Sequence, residues 1–191
     1  MEYKAIDLGL PSGRLWADRN VGAEKETDYG LYFQWGDTIG YTDASHSTAD
    51  TYPGGGDSDS LAAWDAENLL DGILKPKVDA ATVNMGSKWR MPTMEDCAEL
   101  LSNTNYEYAI IEGVKGGKFI SKVDPSNYIF LPFAGWAADG SFGDQGVEGN
   151  IWSSSVYSDD PECAYYMGVY EFDYGDYVGN RFYALPVRGV C

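Results

Sequence analysis

The sequence predicts an α+β domain, and three observations carry that prediction. Short strand-like runs fill both ends of the chain. Helical spacing appears only between them. Turn residues punctuate the whole length, with no repeat at a fixed period. The 191 residues suit one domain or a domain with a long insertion, here residues 1–191 with a surface loop at about 38–60.

In chain order, "EYKAIDLGL" (2–10) and "RLWADRNVG" (14–22) read as strands separated by the turn residues Pro11-Ser12-Gly13. "YGLYFQWGD" (29–37) is a third, with Tyr32, Phe33 and Trp35 as its apolar payload. Residues 38–60 are rich in Gly, Ser, Thr and Asp without any period. They predict a long surface loop rather than a linker, because core-forming segments lie on both sides. Three helices follow. The first spans 59–74, with Ala62, Ala66, Leu69, Leu70 and Ile73 on one face and Lys75-Pro76 as its stop. The second is "VDAATVNMG" (78–86), capped by Gly86. The third begins at Thr93, an N-cap with Asp96 three residues on, and Met94, Cys97, Ala98 and Leu101 line its inner face. After Asn103 the pattern returns to strands. "YEYAIIEGVKGGKFISKV" (106–123) predicts a hairpin turning at Gly116-Gly117, followed by "YIFLPFAGW" (128–136), "NIWSSSVY" (150–157) and the segment from Tyr165 to Arg188.

Composition excludes several functions. At 44% apolar residues the chain can bury a real core, which argues against wholesale disorder. Thirteen Lys plus Arg face 30 Asp plus Glu, a formal charge of −17. That field repels a phosphate backbone and an anionic membrane surface, so neither nucleic acid nor membrane is expected as a partner. No apolar run reaches the length of a membrane span, and Met1-Glu2-Tyr3-Lys4 does not open a signal peptide. Three cysteines, Cys97, Cys163 and Cys191, fit no zinc or redox spacing, and Cys97 sits where a small buried hydrophobe is expected. The single histidine, His46, gives a metal site or a catalytic triad little to build on.

Other motifs read as structure. "PGGGDSDS" and "GVKGGKF" lack the residues and spacing of a phosphate loop and are read as turns. Asp50, Asp57 and Asp59 miss the spacing of a calcium loop and are read as a solvated loop. Trp16, Trp35, Trp89, Trp136 and Trp152 are expected in the core, with a sugar-stacking platform as the alternative. The carboxylates are too scattered to name a catalytic pair.

The Tyr165–Arg188 stretch stands out. Tyrosine recurs at 165, 166, 170, 174, 177 and 183 among Asp, Gly, Val and Asn. Two-residue alternation places Tyr165, Met167 and Val169 on one face, read as inward, and Gly168, Tyr170 and Phe172 on the other. Tyr offers large amphipathic area with two torsions to freeze, while Asp, Asn and Gly offer adaptable polar contacts, as in antibody paratopes. An ordinary half-buried sheet face has the same composition, and the residues alone leave the two readings balanced.

Several stretches occur together in order: "DLGLPSGRLWADRNVGA" (7–23), "YGLYFQWGDT" (29–38), "AATVNMGSKWRMPTMED" (80–96), "IFLPFAGW" (129–136), "IWSSSVYS" (151–158) and "AYYM…NRFYALPVRGV" (164–190). As a set they resemble the Fibrobacter-succinogenes-type major paralogous domain of gut Bacteroidetes and their phages. The resemblance covers nearly the whole chain apart from residues 38–60 and part of the first helix. It implies a C-type lectin-like fold. It also implies kinship with the variable proteins of diversity-generating retroelements, whose C-terminal segment is rewritten at adenines so that Asn codons scatter into Tyr, Asp, Ser, Gly, Val and Phe. On that basis residues about 150–190 form the variable region. The expected function is non-enzymatic binding of a protein or glycan ligand on a cell surface, by an extracellular domain of a bacterium or of a phage fibre tip, with no cofactor or metal. The binding face expected from it comprises Tyr157, Asp159, Asp160, Gly168, Tyr170, Phe172, Tyr174, Asp176, Tyr177, Asn180, Phe182 and Tyr183. Trp89, Arg90, Trp152, Ser153, Ser154, Met167 and Val187 are assigned to the scaffold.

Two other functions are weighed. The formylglycine-generating enzymes are distant relatives of the same fold and need reactive cysteines; only Cys163 and Cys191 are candidates, and the neighbourhood does not match. A calcium-dependent sugar binder would carry Glu-Pro-Asn, Gln-Pro-Asp or Trp-Asn-Asp, none of which is present.

Overall fold

Antiparallel pairing carries the architecture. The computed structural model describes residues 2–191. Its strands are β1 (Ala5–Asp7), β2 (Leu15–Ala17), β3 (Tyr32–Gln34), β4 (Leu69–Leu70), β5 (Ile73–Leu74), β6 (Thr104–Ile111), β7 (Val114–Ser121) and β8 (Tyr128–Pro132). They continue with β9 (Trp136–Ala138), β10 (Ser141–Gly143), β11 (Gly149–Val156), β12 (Cys163–Val169), β13 (Tyr174–Asn180) and β14 (Ala184–Pro186). Three α-helices intervene: α1 (Ser58–Asn68), α2 (Ala80–Met85) and α3 (Met94–Asn103). The strands form four small sheets, ordered β1-β2, β10-β9-β14-β3, β13-β12-β11-β5-β4 and β6-β7-β8. The α+β class expected from the sequence is therefore observed. No described helix is long and apolar enough to cross a membrane.

The five-stranded sheet divides the core. Ile151, Met167 and Val169 pack on one side with Cys97, Leu100, Phe119 and Ile129. Trp152 and Ala164 pack on the other with Phe33, Trp35, Leu185 and Val187. Strand β11 has a bulge between Trp152 and Val156, which frees backbone groups of the three serines for other partners. The Ser153 carbonyl accepts the Trp35 indole N–H at 2.8 Å, and the Trp152 indole donates back to the Phe33 carbonyl at 2.9 Å. The Ser154 N–H donates to the Pro92 carbonyl at 2.7 Å, and the Ser155 hydroxyl accepts the Met94 N–H. Two distant motifs, "IWSSSVY" and "WRMPTMED", thus meet through one backbone–backbone bond and the Ser155 hydroxyl.

The last residues close the molecule. Leu15 and Ala17 donate to the carbonyls of Cys191 and Gly189, and Val190 exchanges hydrogen bonds with Arg90. Arg188 is fully buried. It donates to the Asn20 amide oxygen at 2.8 Å and to the carbonyls of Ala17 and Phe130 at 2.9 and 2.8 Å. Burial lowers its pKa to about 9, still above neutrality. Three acceptors without a carboxylate hold this cation, so it joins the chain end to two other segments.

Several expectations need correction. Helix α1 stops at Asn68, six residues short, because Asp71-Gly72 makes a two-residue hairpin turn between β4 and β5 with both residues at positive φ. Its buried residues are Leu61 and Asn68, and Ala62 and Ala66 face solvent. In α3 the buried residues are Asp96, Cys97 and Leu100, and Ala98 is exposed. The capping box is present: Thr93 Oγ1 accepts from the Asp96 N–H, and Asp96 Oδ2 accepts from the Thr93 N–H at 2.8 Å. Burial disfavours the charged Asp96 carboxylate. Its bonds to Arg90 and the Thr93 backbone and the charge of Arg14 outweigh that and hold its pKa below the usual range. The β6–β7 hairpin turns at Glu112-Gly113, not at Gly116-Gly117, which lie within β7 beneath the rings of Phe130 and Tyr106. Gly86 caps α2 as expected. Residues 38–57 are irregular apart from a 3-10 turn at Ala49–Thr51, yet they are fastened down. Thr48 and Ser47 carbonyls accept from Gln34 and Asp139, and Tyr52 is buried beside Trp64. Asp57 serves as N-cap of α1, accepting from the N–H groups of Asp59 and Ser60.

The Arg188 arrangement makes a quantitative prediction. Arg188→Met leaves three buried acceptors without donors and should cost about 3–5 kcal/mol. Urea unfolding followed by tryptophan fluorescence measures it, and a loss under about 1 kcal/mol would remove Arg188 from this role.

Candidate binding face

Strand register decides where each tyrosine points. In β11, β12 and β13 the residues Trp152, Tyr166 and Tyr177 lie side by side, as do Asn150, Gly168 and Gly175. The next row, Ile151, Met167 and Asp176, belongs to the opposite face. Met167 and Val169 are fully buried, as the alternation requires. Tyr166 therefore stands on the outer row with Gly168, one step before the residues that the sequence reading named.

Around that row the aromatic rings form two groups, one of Trp152, Tyr166, Tyr177 and Tyr170 and one of Trp136, Tyr183 and Phe182. Tyr166 stacks on Tyr177 with centroids 5.7 Å apart, and Tyr170 meets Tyr177 edge-on at 5.9 Å. Trp152 meets Tyr166 at 6.0 Å. Trp136 stacks on Tyr183 at 5.9 Å, and Tyr183 meets Phe182 edge-on at 5.1 Å. Gly168 is buried because the Tyr177 ring covers it; a Cβ there would lie 3.0 Å from that ring and 3.2 Å from the Asn150 amide oxygen. The rings leave a hollow of about 100 Å³ lined by Trp136, Glu148, Asn150, Trp152, Tyr166 and Tyr183, among others. Burial, the charge of Glu148 and the neighbouring tyrosines push the Tyr166 hydroxyl up to about 12. Tyr177 is raised by burial and by the charges of Asp173, Glu148 and Asp176.

A second hollow, about 190 Å³, lies on the other side of Phe182, lined by Tyr52, Glu162, Asn180, Arg181 and Phe182 among others. Arg181 is buried, paired with Asp65 at 2.7 and 3.1 Å, and its guanidinium sits 4.7 Å over the Trp35 ring. The loop at 38–60 thus supplies one wall of this hollow, a contribution its composition did not show.

The twelve residues expected to share one face do not. Tyr183 lines the first hollow; Tyr177 stacks on Tyr166 of its lining, with Tyr170 and Gly168 against Tyr177; and Asn180 and Phe182 line the second. Tyr174 and Asp176 point to the Met167 side by register. There the Tyr174 ring packs on Tyr106 at 4.8 Å and on Phe119 at 6.0 Å. Tyr106 also donates to the Tyr170 carbonyl, which fastens the turn after β12. Tyr157, Asp159 and Asp160 lie at the far end, where Tyr157 meets Tyr165 edge-on at 5.3 Å. Phe172 is 91% exposed at the tip of the β12–β13 turn. The scaffold residues Trp89, Trp152, Ser153, Ser154, Met167 and Val187 are all buried, and Arg90 is half-buried.

Four contributors were not expected on the binding face: Tyr166, Glu148, Asn150 and Trp136, the last expected in the core or, alternatively, on a sugar-stacking platform. The same alternation that selected Gly168 and Tyr170 selects Tyr166, and Glu148, Asn150 and Trp152 share a period of two. Trp136 is half-buried, unlike the other four tryptophans expected in the core, which are buried. The cysteines are free, and burial with the Asp160 charge pushes the Cys163 thiol up to about 11.

This division predicts different costs for neighbouring rings. Phe172→Ala should leave stability within about 0.5 kcal/mol. Tyr174→Ala should lose about 1–2 kcal/mol through its contacts with Tyr106 and Phe119. Thermal or urea unfolding of the two variants checks this, and equal losses would contradict the assignment.

The chain matches no family model, no curated protein and no solved structure.

Proposed function

We propose that this chain is a non-enzymatic binding domain with a C-type lectin-like scaffold, akin to the variable proteins of diversity-generating retroelements. Its ligand is a protein or glycan on a cell surface, met outside the cell. The observation that carries this reading is the concentration of rings at the free edge of the five-stranded sheet. They stand on residues 166–183 while backbone bonds and the Arg188 contacts hold the flanking segments. Tyr and Trp rings of this kind supply contact area at low entropic cost, and hot spots favour them. A standard interface takes ~800 Å² per partner, about a tenth of the 8344 Å² surface here.

The register narrows the face. Its centre is Tyr166 and Tyr177, with Tyr170 and Tyr183 beside them; Phe172 at the turn tip and Phe182 at the second hollow lie on its margins, and Tyr174 and Asp176 belong to the other side. Against an oxidase stands the chemistry of Cys163: a nucleophilic thiol needs a lowered pKa, and burial beside Asp160 gives the reverse.

A displayed library tests the reading. Positions 170, 172, 177, 180, 182 and 183 are randomised on an otherwise unchanged chain and selected against several unrelated purified proteins. Binders with dissociation constants of about 1 μM or better, whose thermal midpoints stay near that of the parent, are expected. A library that yields only unfolded or non-binding variants would overturn the proposal. Sequencing of the flanking DNA adds a second arm: a near-copy of the 3′ coding segment, differing mainly at adenines beside a reverse transcriptase gene, is expected.

A further inference from the structure

The five-stranded sheet ends in an open edge. Its last strand, β13, pairs with β12 along its whole length, from Cys163↔Asn180 to Val169↔Tyr174, without a bulge. Two bonds at the ends of that ladder fix its phase. The Arg181 N–H donates to the Glu162 carbonyl at 2.9 Å, and the Tyr170 N–H donates to the Asp173 carbonyl at 2.8 Å. Antiparallel pairs alternate between bonded and non-bonded. Gly175, Tyr177 and Gly179 therefore bond to β12, while Tyr174, Asp176, Val178 and Asn180 turn their backbone groups outward. Asp173 Oδ1 takes the Tyr174 N–H, and the Asn180 carbonyl accepts from Tyr183. The Tyr174 carbonyl, both groups of Asp176 and of Val178, and the Asn180 N–H have no partner among the described residues.

Proteins guard such an edge with Lys, Pro, a bulge or a covering segment. The strand "YGDYVGN" has no Lys, Arg or Pro, and Tyr174, Asp176 and Val178 are exposed. An unguarded edge accepts an added strand, in which backbone bonds give affinity and alternate side chains give specificity. The side chains here select the strand. Tyr174, Asp176 and Val178 share the Met167 side of the sheet. Asp176 forms no ion pair among the described residues, and desolvation raises its pKa without a cation to offset it. Glu171 and Asp173 are unpaired as well, and no Lys or Arg occurs from 171 to 180. A second copy would bring the same acids and its own −17 charge against them. A cation directly across from Asp176 removes that conflict, since opposite charges stabilise a cross-strand pair and like charges destabilise it. Across from Tyr174 and Val178, β-branched apolar side chains pair well.

We infer that the β13 edge binds an extended segment of a partner protein as an added antiparallel strand, with Lys or Arg opposite Asp176 and β-branched apolar residues two positions before and after it. The pairs within this sheet are antiparallel, and the added strand continues them. The contact goes beyond the ring face. It is made by the β13 backbone and by side chains on the face opposite Tyr166 and Tyr177, so it stands whatever the rings bind.

The test is amide hydrogen exchange of the ¹⁵N-labelled protein with the peptide acetyl-TVTKTVT-amide. One control peptide carries glutamate in place of the lysine. Another is N-methylated at the lysine and both valines, whose N–H groups would face β13. A third is N-methylated at the two central threonines, whose N–H groups would face solvent. Without peptide, Asp176 and Val178 should exchange freely and Tyr177 slowly. The lysine peptide should slow Asp176 and Val178 at least about tenfold, with a dissociation constant of about 0.1–1 mM. The glutamate peptide should bind at least about fivefold more weakly, and Asp176→Asn should reduce that preference to less than about twofold. Methylation at the threonines should preserve binding, and methylation at the lysine and valines should abolish it. No slowing with up to about 10 mM peptide, equal binding of the glutamate peptide, or equal affinity of the two methylated peptides would overturn the inference. Slow exchange at Asp176 and Val178 without peptide, with a dimer in sedimentation, would overturn it in favour of a second copy.

Discussion

Everything on the proposed face depends on one register, the antiparallel alignment of β11, β12 and β13. It places Trp152, Tyr166 and Tyr177 in one row and Ile151, Met167 and Asp176 in the next. A slip of one residue would carry the tyrosines into the cluster of Cys97 and Leu100 and Met167 onto the Trp152 face, because side chains alternate strictly between faces. The core enforces the register from beneath, since Ile151, Met167 and Val169 all pack in one cluster with Cys97 and Leu100. The Trp152 indole enforces it from the other side through its bond to the Phe33 carbonyl.

The polar clamps explain why such a face can be variable without endangering the fold. Arg188 binds Asn20, Ala17 and Phe130, and Arg181 binds Asp65 over Trp35. Both arginines are buried, and they bracket the stretch from Phe182 to Val187 that returns the chain to the core. A residue that adds no area to the core can change with little effect on stability; between the two arginines only Phe182 and Tyr183 are half-buried, and Ala184, Leu185, Pro186 and Val187 are buried. Tyr174 shows the limit of that freedom, since its ring is shared with Tyr106 and Phe119.

Much of this was legible in the sequence, and the gaps have physical causes. The α+β class, the Thr93 capping box, the Gly86 cap and the inward Met167 and Val169 follow from local patterns. The end of α1 was obscured by apolar residues at helical spacing, although Asp71-Gly72 is a strong hairpin signal. The hairpin turn at Glu112-Gly113 was displaced by a glycine pair that instead makes room for Phe130 and Tyr106. Of the face, Tyr170, Tyr177 and Tyr183 were visible as rings in an alternating run. Trp136, Glu148 and Asn150 come from strands distant in sequence, and their meeting with Tyr183 depends on the sheet pairing β14 to β9 and β11 to β12. The placement of Tyr174 was hidden for a related reason: the turn at Tyr170–Asp173 reverses the chain and sets its ring on the Met167 side.

The central claim is that residues 150–190 carry two separable sets, one holding the fold and one facing a partner. A saturation scan of those positions, displayed and read by resistance to proteolysis, tests it most directly. The account predicts broad tolerance at Asp159, Phe172, Tyr177, Asn180, Phe182 and Tyr183, beside sharp intolerance at Trp152, Met167, Val169 and Arg188. Equal intolerance in both sets would contradict it.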